Sequence, residues 1–439
     1  MTLRYSTVDT LTLILAWAAL TAYVSAPSSQ ALGLPAGLQL GDFLTLATAF
    51  GIIVLLASQK GRFPAPAHKG VVALFSIYIL SVLTLPLFGM ILYSAPLELY
   101  LGDLRWLAII LVGLSLILIY HLRGAERFVP HFTSFLLVLA LIQLVLLGSQ
   151  ISMSVFGSSA NIFLEIWYPG GEPGYGEYGH HIHRYAAGLY HASGLARLGG
   201  ITFIFALFFL YMRLEKNRIF DYKLFFLLIT GLLFIVAAGN RAMLFGVPPA
   251  VIFILVMVIL VRSRITYKSF FAGFFVFLGM VGVAVLAFHY NIGRIASGDR
   301  LIQTINWLTG QTTLYEIGGR GEDLWLPYIQ EAFTEFGWAG TLINASHALG
   351  TMDSYFVLSI SQGGPFIIVP FLLLCISLVV IGIWMAIKGD YMGAVALGVV
   401  IPIILSSIAQ NTMTGLSARV FLTLAVCGLY VRRVPFSRY

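Results

Sequence analysis

The sequence predicts an all-α, polytopic membrane protein with about twelve transmembrane helices and two long outer loops carrying short amphipathic helices. Three observations carry this prediction. Of 439 residues, 59% are hydrophobic and only 10% are charged, with a mean hydropathy of +0.94, whereas soluble proteins keep about a quarter of their residues charged. Apolar runs of roughly 20 residues, the length needed to cross a hydrocarbon core, recur along the chain. All the lysines fall in hydrophilic connections on one side of the resulting topology.

In chain order, the apolar runs start near residues 8, 41, 70, 101, 129, 194, 223, 242, 269, 363, 391 and 414. The first begins near Val8 without a small-residue cleavage site, so it is expected to be a span and not a removed signal peptide. The runs on either side of Asn240-Arg241 meet at a very short turn. Cys375 and Cys427 lie mid-way along apolar runs, where small packing roles are expected. Neither long loop contains a cysteine, which excludes a disulfide or thiolate metal site there. No fixed-period repeat or low-complexity linker divides the chain, so residues 1–439 form a single membrane domain.

Basic residues set the orientation. Arg4, Lys60/Arg62/Lys69, Arg123/Arg127, Arg213/Lys216/Arg218/Lys223, Arg262/Arg264/Lys268, Lys388 and Arg432/Arg433/Arg438 share one side with both termini. That side is expected to be the cytoplasm. The other basic residues are all arginine: Arg105, Arg184, Arg197, Arg241, Arg294, Arg300, Arg320 and Arg419. The positive balance is therefore an orientation signal, and no nucleic-acid partner is expected. The two far-side loops span about 150–193 and 290–362; connections of that length are usually functional when ordered. Leu324 to Trp338 reads as an amphipathic helix within the second.

Three arginines sit at membrane edges beside glycine: Arg184 in Arg184-x-x-x-Gly188, Arg241 in Gly239-Asn240-Arg241-Ala242, and Arg320 in Gly318-Gly319-Arg320-Gly321. A guanidinium grips phosphate bidentately and stays charged, and glycine admits a close ligand. The bland alternative is snorkelling to lipid headgroups or pairing with a carboxylate. Arg105 and Arg419 lie a turn or so inside spans. Arg105 and Asp103, two apart, do not face each other on a helix.

Acid/base candidates cluster in the second loop: Glu316, Glu322, Asp323, Glu331, Glu335, His347 and Asp353. Glu331 and Glu335 share a helical face, where a solvated surface is the simpler reading. Asp353, in Met352-Asp353-Ser354-Tyr355-Phe356, immediately precedes an apolar run, where an idle carboxylate is costly. His180, His181 and His183 in the first loop fit no metal-ligand spacing, so no metal or cofactor is expected.

At these residues the chain resembles the O-antigen ligase and polymerase family of bacterial inner membranes. Arg184-Tyr-Ala-Ala-Gly188-Leu-Tyr-His-Ala-Ser-Gly-Leu-Ala196 is similar to the family's stretch before a span, and Gly239-Asn240-Arg241-Ala242 to its Ser-Arg-Gly/Ala turn. Gly319-Arg320, Trp325, Phe336-Gly337 and Asp353-Ser354-Tyr355-Phe356 before Gly363-Gly364 resemble its long late loop. Where ligases carry a His-Asn pair, this chain has Asp353-Ser354, with His347 six residues earlier; the resemblance therefore favours polymerase over ligase.

The resemblance implies a metal-independent glycosyl transfer at the periplasmic face. The donor and acceptor are undecaprenyl-pyrophosphate-linked glycans, with membrane lipid and a chain-length regulator protein as further partners. Arg184, Arg241 and Arg320 would hold pyrophosphate, Arg320 also stabilising the leaving charge. Asp353, His347 or a loop glutamate would take the acceptor's proton. A flippase for the same lipids is a rival reading and would require interrupted spans and midplane charges; a peptidoglycan polymerase of the shape-and-division type is another.

Overall fold

The computed structural model describes residues 7–27, 31–35, 38–58, 63–93, 98–156, 167, 185–189, 191–215, 221–262, 326–337, 340–342, 354–409, 413 and 415–431. Within these the fold is all-α. The helices are α1 (Thr7–Val24), α2 (Leu40–Ser58), α3 (Lys69–Tyr93), α4 (Glu98–Arg123), α5 (Phe128–Phe156), α6 (Ala192–Glu215), α7 (Tyr222–Ala238), α8 (Arg241–Arg262), α9 (Leu326–Phe336), α10 (Tyr355–Gly363), α11 (Pro365–Ile387), α12 (Met392–Ala409) and α13 (Leu416–Val431). A 3-10 turn, Ala125–Arg127, joins α4 to α5.

Seven helices among the described residues are long and apolar enough to cross a membrane, and α7, α8, α12 and α13 are shorter apolar helices. Their outward faces are apolar: Leu46 and Ile91 are 70% exposed and Phe50 is 71% exposed. A soluble surface does not carry such a continuous apolar exterior. The expected ninth span, starting near residue 269, lies outside the described residues.

Helix α6 runs through the centre, packed by α7, α8 and α12. Glycine permits the closest approach: a Cβ on Gly231 of α7 would fall 2.6 Å from the Phe203 backbone nitrogen of α6. Small residues at such crossings let two backbones meet where lipid offers no hydrophobic drive for association. Cys375 and Cys427 are buried packing residues.

One end of the bundle gathers the basic connections. There the Arg123 guanidinium donates to the Thr10 hydroxyl (2.6 Å), the Ala67 N–H donates to the Tyr430 carbonyl (2.9 Å), and the Tyr430 hydroxyl donates to the Pro64 carbonyl (2.6 Å). The starts of α1 and α3 and the ends of α4 and α13 therefore share this end.

The expected tenth span, starting near residue 363, forms as α11. The short buried α10 precedes it. Gly364 takes φ 51° and ψ −138° between them, a conformation suited to glycine, and a residue preceding proline is pushed away from the helical region. Thr341 and Leu342 N–H groups close the corner by donating to the carbonyls of Ser361 (2.7 Å) and Gln362 (2.9 Å). The expected amphipathic helix forms as α9, which packs on α10 through the buried Ala332 and exposes Gln330 and Glu331.

Candidate functional site

The end of the bundle opposite the basic connections carries the polar constellations. The turn between α7 and α8 follows directly from its residues. Gly239 ends α7 in the left-handed conformation (φ 56°), its N–H donating to the Val236 carbonyl, as C-terminal glycines commonly do. Asn240 then caps α8: its side-chain oxygen accepts the Met243 N–H at 3.1 Å, satisfying one of the orphan donors of a helix start. Arg241 is therefore the first residue of α8; its side chain is outside the described residues.

The stretch after Arg184 is fastened to this turn. The Tyr185 N–H donates to the Ala237 carbonyl at 3.2 Å, four positions before Arg241. Two glutamines of α5 hold the following residues. Gln150 clamps Ala187 from both sides, accepting its N–H at 3.0 Å and donating to its carbonyl at 3.1 Å. Gln143 accepts the Gly188 N–H at 2.7 Å and donates to the Ser25 hydroxyl at 2.6 Å. The clamp holds Ala187 at φ 48°, a strained position for a residue with a Cβ. Gly188 cannot be replaced without movement, since a Cβ there would lie 2.6 Å from Leu146 and 3.0 Å from the Trp167 indole nitrogen. Sequence reading singled out Arg184 and Gly188 but missed Gln143 and Gln150. The signal was two amides seven positions apart on one face of an otherwise apolar span.

A second constellation is buried between α3, α4, α10, α12 and α13. Arg419, 4% exposed, donates through Nη2 to Asp103 Oδ1 at 3.0 Å and through Nε to the Met413 carbonyl at 2.7 Å. Its guanidinium also lies 5.3 Å from the Trp106 ring centroid, within cation–π range. Arg197 of α6, also 4% exposed, donates to the Ser417 hydroxyl at 3.2 Å. Beside them the Tyr78 and Tyr355 hydroxyls share a 2.5 Å hydrogen bond, and the Ser354 hydroxyl donates to the Ser407 carbonyl at 3.1 Å. Asp103 stands twenty positions before Arg123, so it lies about 30 Å along α4 from the basic end at 1.5 Å rise per residue, and Arg419 is in the first turn of α13. That is about the whole of a hydrocarbon core roughly 30 Å thick, so this constellation belongs to the far end of the bundle.

Intramembrane charges of this kind mark functional sites by default. Among the described residues Arg419 pairs with Asp103 here, and Arg197 reaches Ser417. The sequence placed Arg419 inside a span but gave it no role, and gave Arg197 none; an arginine within an apolar run was the available signal. Arg105, the neighbour of this cluster on α4, instead pairs with Asp42 of α2 at 3.8 Å.

Of the residues selected from sequence, Arg184, Arg320, His347 and Asp353 lie outside the described residues, as do His180, His181 and His183. Asp353 immediately precedes Ser354, whose hydroxyl reaches α12. No group of three or more His, Cys, Asp or Glu placed to hold a metal occurs among the described residues. Compared with known proteins, the chain matches no family model, and no curated protein matches it.

Proposed function

We propose that the protein is a bacterial inner-membrane glycosyltransferase of the O-antigen polymerase type, which joins undecaprenyl-pyrophosphate-linked repeat units at the periplasmic face. In this reading it has about twelve spans, both termini in the cytoplasm and periplasmic loops at about 150–193 and 290–362. The observation that carries the reading is the hydrogen bond from the Tyr185 N–H to the Ala237 carbonyl. It fastens the segment following Arg184 to the end of α7, four positions before Arg241, which supports a shared role for the two arginines.

The chemistry is a substitution at the anomeric carbon. The acceptor hydroxyl oxygen forms the new glycosidic bond, the bond to the lipid pyrophosphate breaks, and the pyrophosphate departs with its electron pair. Arg184, Arg241 and Arg320 offset the charge that develops on it, and the hydroxyl proton passes to Asp353 or His347. No metal or cofactor is required.

The test is polymerisation of a lipid-linked repeat unit in liposomes. Wild type should produce a ladder of products that persists in chelator. Arg241→Ala and Asp353→Asn should abolish it, and Arg241→Lys should fail to restore a bidentate site. Removal of one transition-state contact is expected to lower the rate about 10²–10³-fold. His347→Asn should be mild. If instead His347→Asn is inactive and Asp353→Asn active, the ligase reading, transfer of finished polymer to lipid A–core, takes over.

A second reading is favoured by a specific observation. The break between α10 and α11 is the kind of helix interruption found in transporters. Movement of the lipid-linked glycan between leaflets without chain growth, in the same liposomes, would select a flippase.

A further inference from the structure

The basic end of the bundle holds a half-open cavity of about 370 Å³ lined by Ala125, Glu126, Val129, Pro130, Phe209, Arg213, Asp390, Tyr391 and Met392. Its volume is in the lower range of small-ligand sites, about 300–1,000 Å³. Its walls come from three places: the turn before α5, the last turn of α6 and the corner before α12.

The polar groups on these walls are of both signs. Arg213 uses Nη1 to donate to Asp221 Oδ2, while its Nε–H is buried with no acceptor among the described residues. A buried donor left so is destabilising. Glu126 is exposed in its 3-10 turn. Asp390 accepts the Met392 N–H through Oδ1 at 3.0 Å, and a carboxylate can accept further donors. Phe209 and Tyr391 form an aromatic wall, with ring centroids 4.4 Å apart. Val129, Pro130 and Met392 complete an apolar flank.

We propose that this cavity binds the headgroup of an amino-phospholipid, a phosphate carrying a primary ammonium. The phosphate accepts from Arg213, whose planar fork suits it. The ammonium donates to Glu126 and Asp390 and lies against the Tyr391 ring, where a cation is attracted to the aromatic face. Arg213 is already paired with Asp221, and the lining adds the carboxylates of Glu126 and Asp390, an excess of negative charge that fits a zwitterion better than a purely anionic headgroup. The apolar flank takes the first methylenes of the lipid. A solvated helix cap at Asp390 and a surface glutamate at 126 would make no such distinction.

Full-length protein purified in detergent is titrated with phosphatidylethanolamine, phosphatidylglycerol, phosphatidylcholine or soluble O-phosphoethanolamine, with thermal unfolding as readout and native mass spectrometry to count retained lipid. Phosphatidylethanolamine should raise the midpoint and remain bound in the gas phase, and phosphatidylglycerol should do neither. Glu126→Gln, at an exposed position that leaves folding intact, and Asp390→Asn, which keeps the cap acceptor, should each weaken phosphatidylethanolamine at least about tenfold. Equal stabilisation by O-phosphoethanolamine assigns the same site to a soluble zwitterion, whereas no effect from it assigns the lipid. Phosphatidylglycerol or phosphatidylcholine binding as well as phosphatidylethanolamine, or Glu126→Gln retaining the wild-type preference, overturns the proposal.

Discussion

Asp103 and Arg105 show how two residues in one line of sequence serve different interfaces. Two positions on an α-helix are about 200° apart, so they leave α4 on opposite faces, Asp103 toward Arg419 on α13 and Arg105 toward Asp42 on α2. Sequence reading established that the two do not pair with each other. It did not supply their partners, because Asp103 and Arg419 are 316 positions apart and nothing local encodes that contact. The two pairs differ in burial, and their energetics should differ accordingly. Arg419 is 4% exposed and Asp103 17%, so Arg419→Ala strands a mostly buried carboxylate and should cost about 3 kcal/mol, the lower end for a buried pair. Arg105, 24% exposed and 3.8 Å from Asp42, should cost under about 1 kcal/mol. Asp103→Leu combined with Arg419→Met should recover much of the first loss, since an apolar pair needs no compensation. Reversible unfolding in mixed micelles measures all three, and a harmless Arg419→Ala would show that water reaches Asp103.

At the scale of elements, the spans were legible because a run of apolar residues long enough to cross lipid has few other uses. Eleven of the expected starts match helices α1–α8 and α11–α13 to within a few residues. The split before α11 was less visible. Tyr355–Gly363 includes Ser359, Ser361 and Gln362, all buried, and polar residues on a buried face blur the apolar period that marks a helix. Packing of α6 on α7 was also out of reach, because glycine in an apolar run signals a contact without naming the partner. The structure supplies it. A Cβ on Gly231 meets backbone of α6, and one on Gly199 would lie 2.7 Å from the Gly231 carbonyl oxygen; backbone cannot step aside as a side chain can. Gly231→Ala should therefore force the helices apart and destabilise by about 1–3 kcal/mol, although alanine is the better helix former. Gly70→Ala, at the exposed start of α3 with no atom within 4 Å of an added Cβ, is the control that should be neutral. Equal unfolding midpoints for the two variants would mean that the α6–α7 contact can yield.

For the whole molecule, the sequence supports an argument about sidedness that no single contact contains. The structure brings the connections bearing Lys69, Arg123, Arg213, Lys223 and Lys388 to one end, together with the start of α1 and the end of α13. The opposite end carries the amide clamp and the Asn240 cap. Cationic connections are retained on the cytoplasmic side during insertion, so the basic end should face the cytoplasm. Arg184 and Arg320, expected to line the site, lie outside the described residues, and span length says nothing of where their long loops bring them. Cysteine labelling tests the sidedness cleanly, since Cys375 and Cys427 are both buried and give little background. Leu32, 39% exposed in the connection between α1 and α2, marks the clamp end, and Tyr222, 72% exposed at the start of α7, marks the basic end. In sealed cells a membrane-impermeant maleimide should modify Leu32→Cys and leave Tyr222→Cys untouched until the membrane is permeabilised. Both substitutions replace an exposed side chain, so neither should disturb packing. Labelling of Tyr222→Cys alone would invert the topology and place the clamp end, with Asn240 and the start of α8, in the cytoplasm. Periplasmic polymerisation would then be impossible at that end, whatever the arginines there can bind.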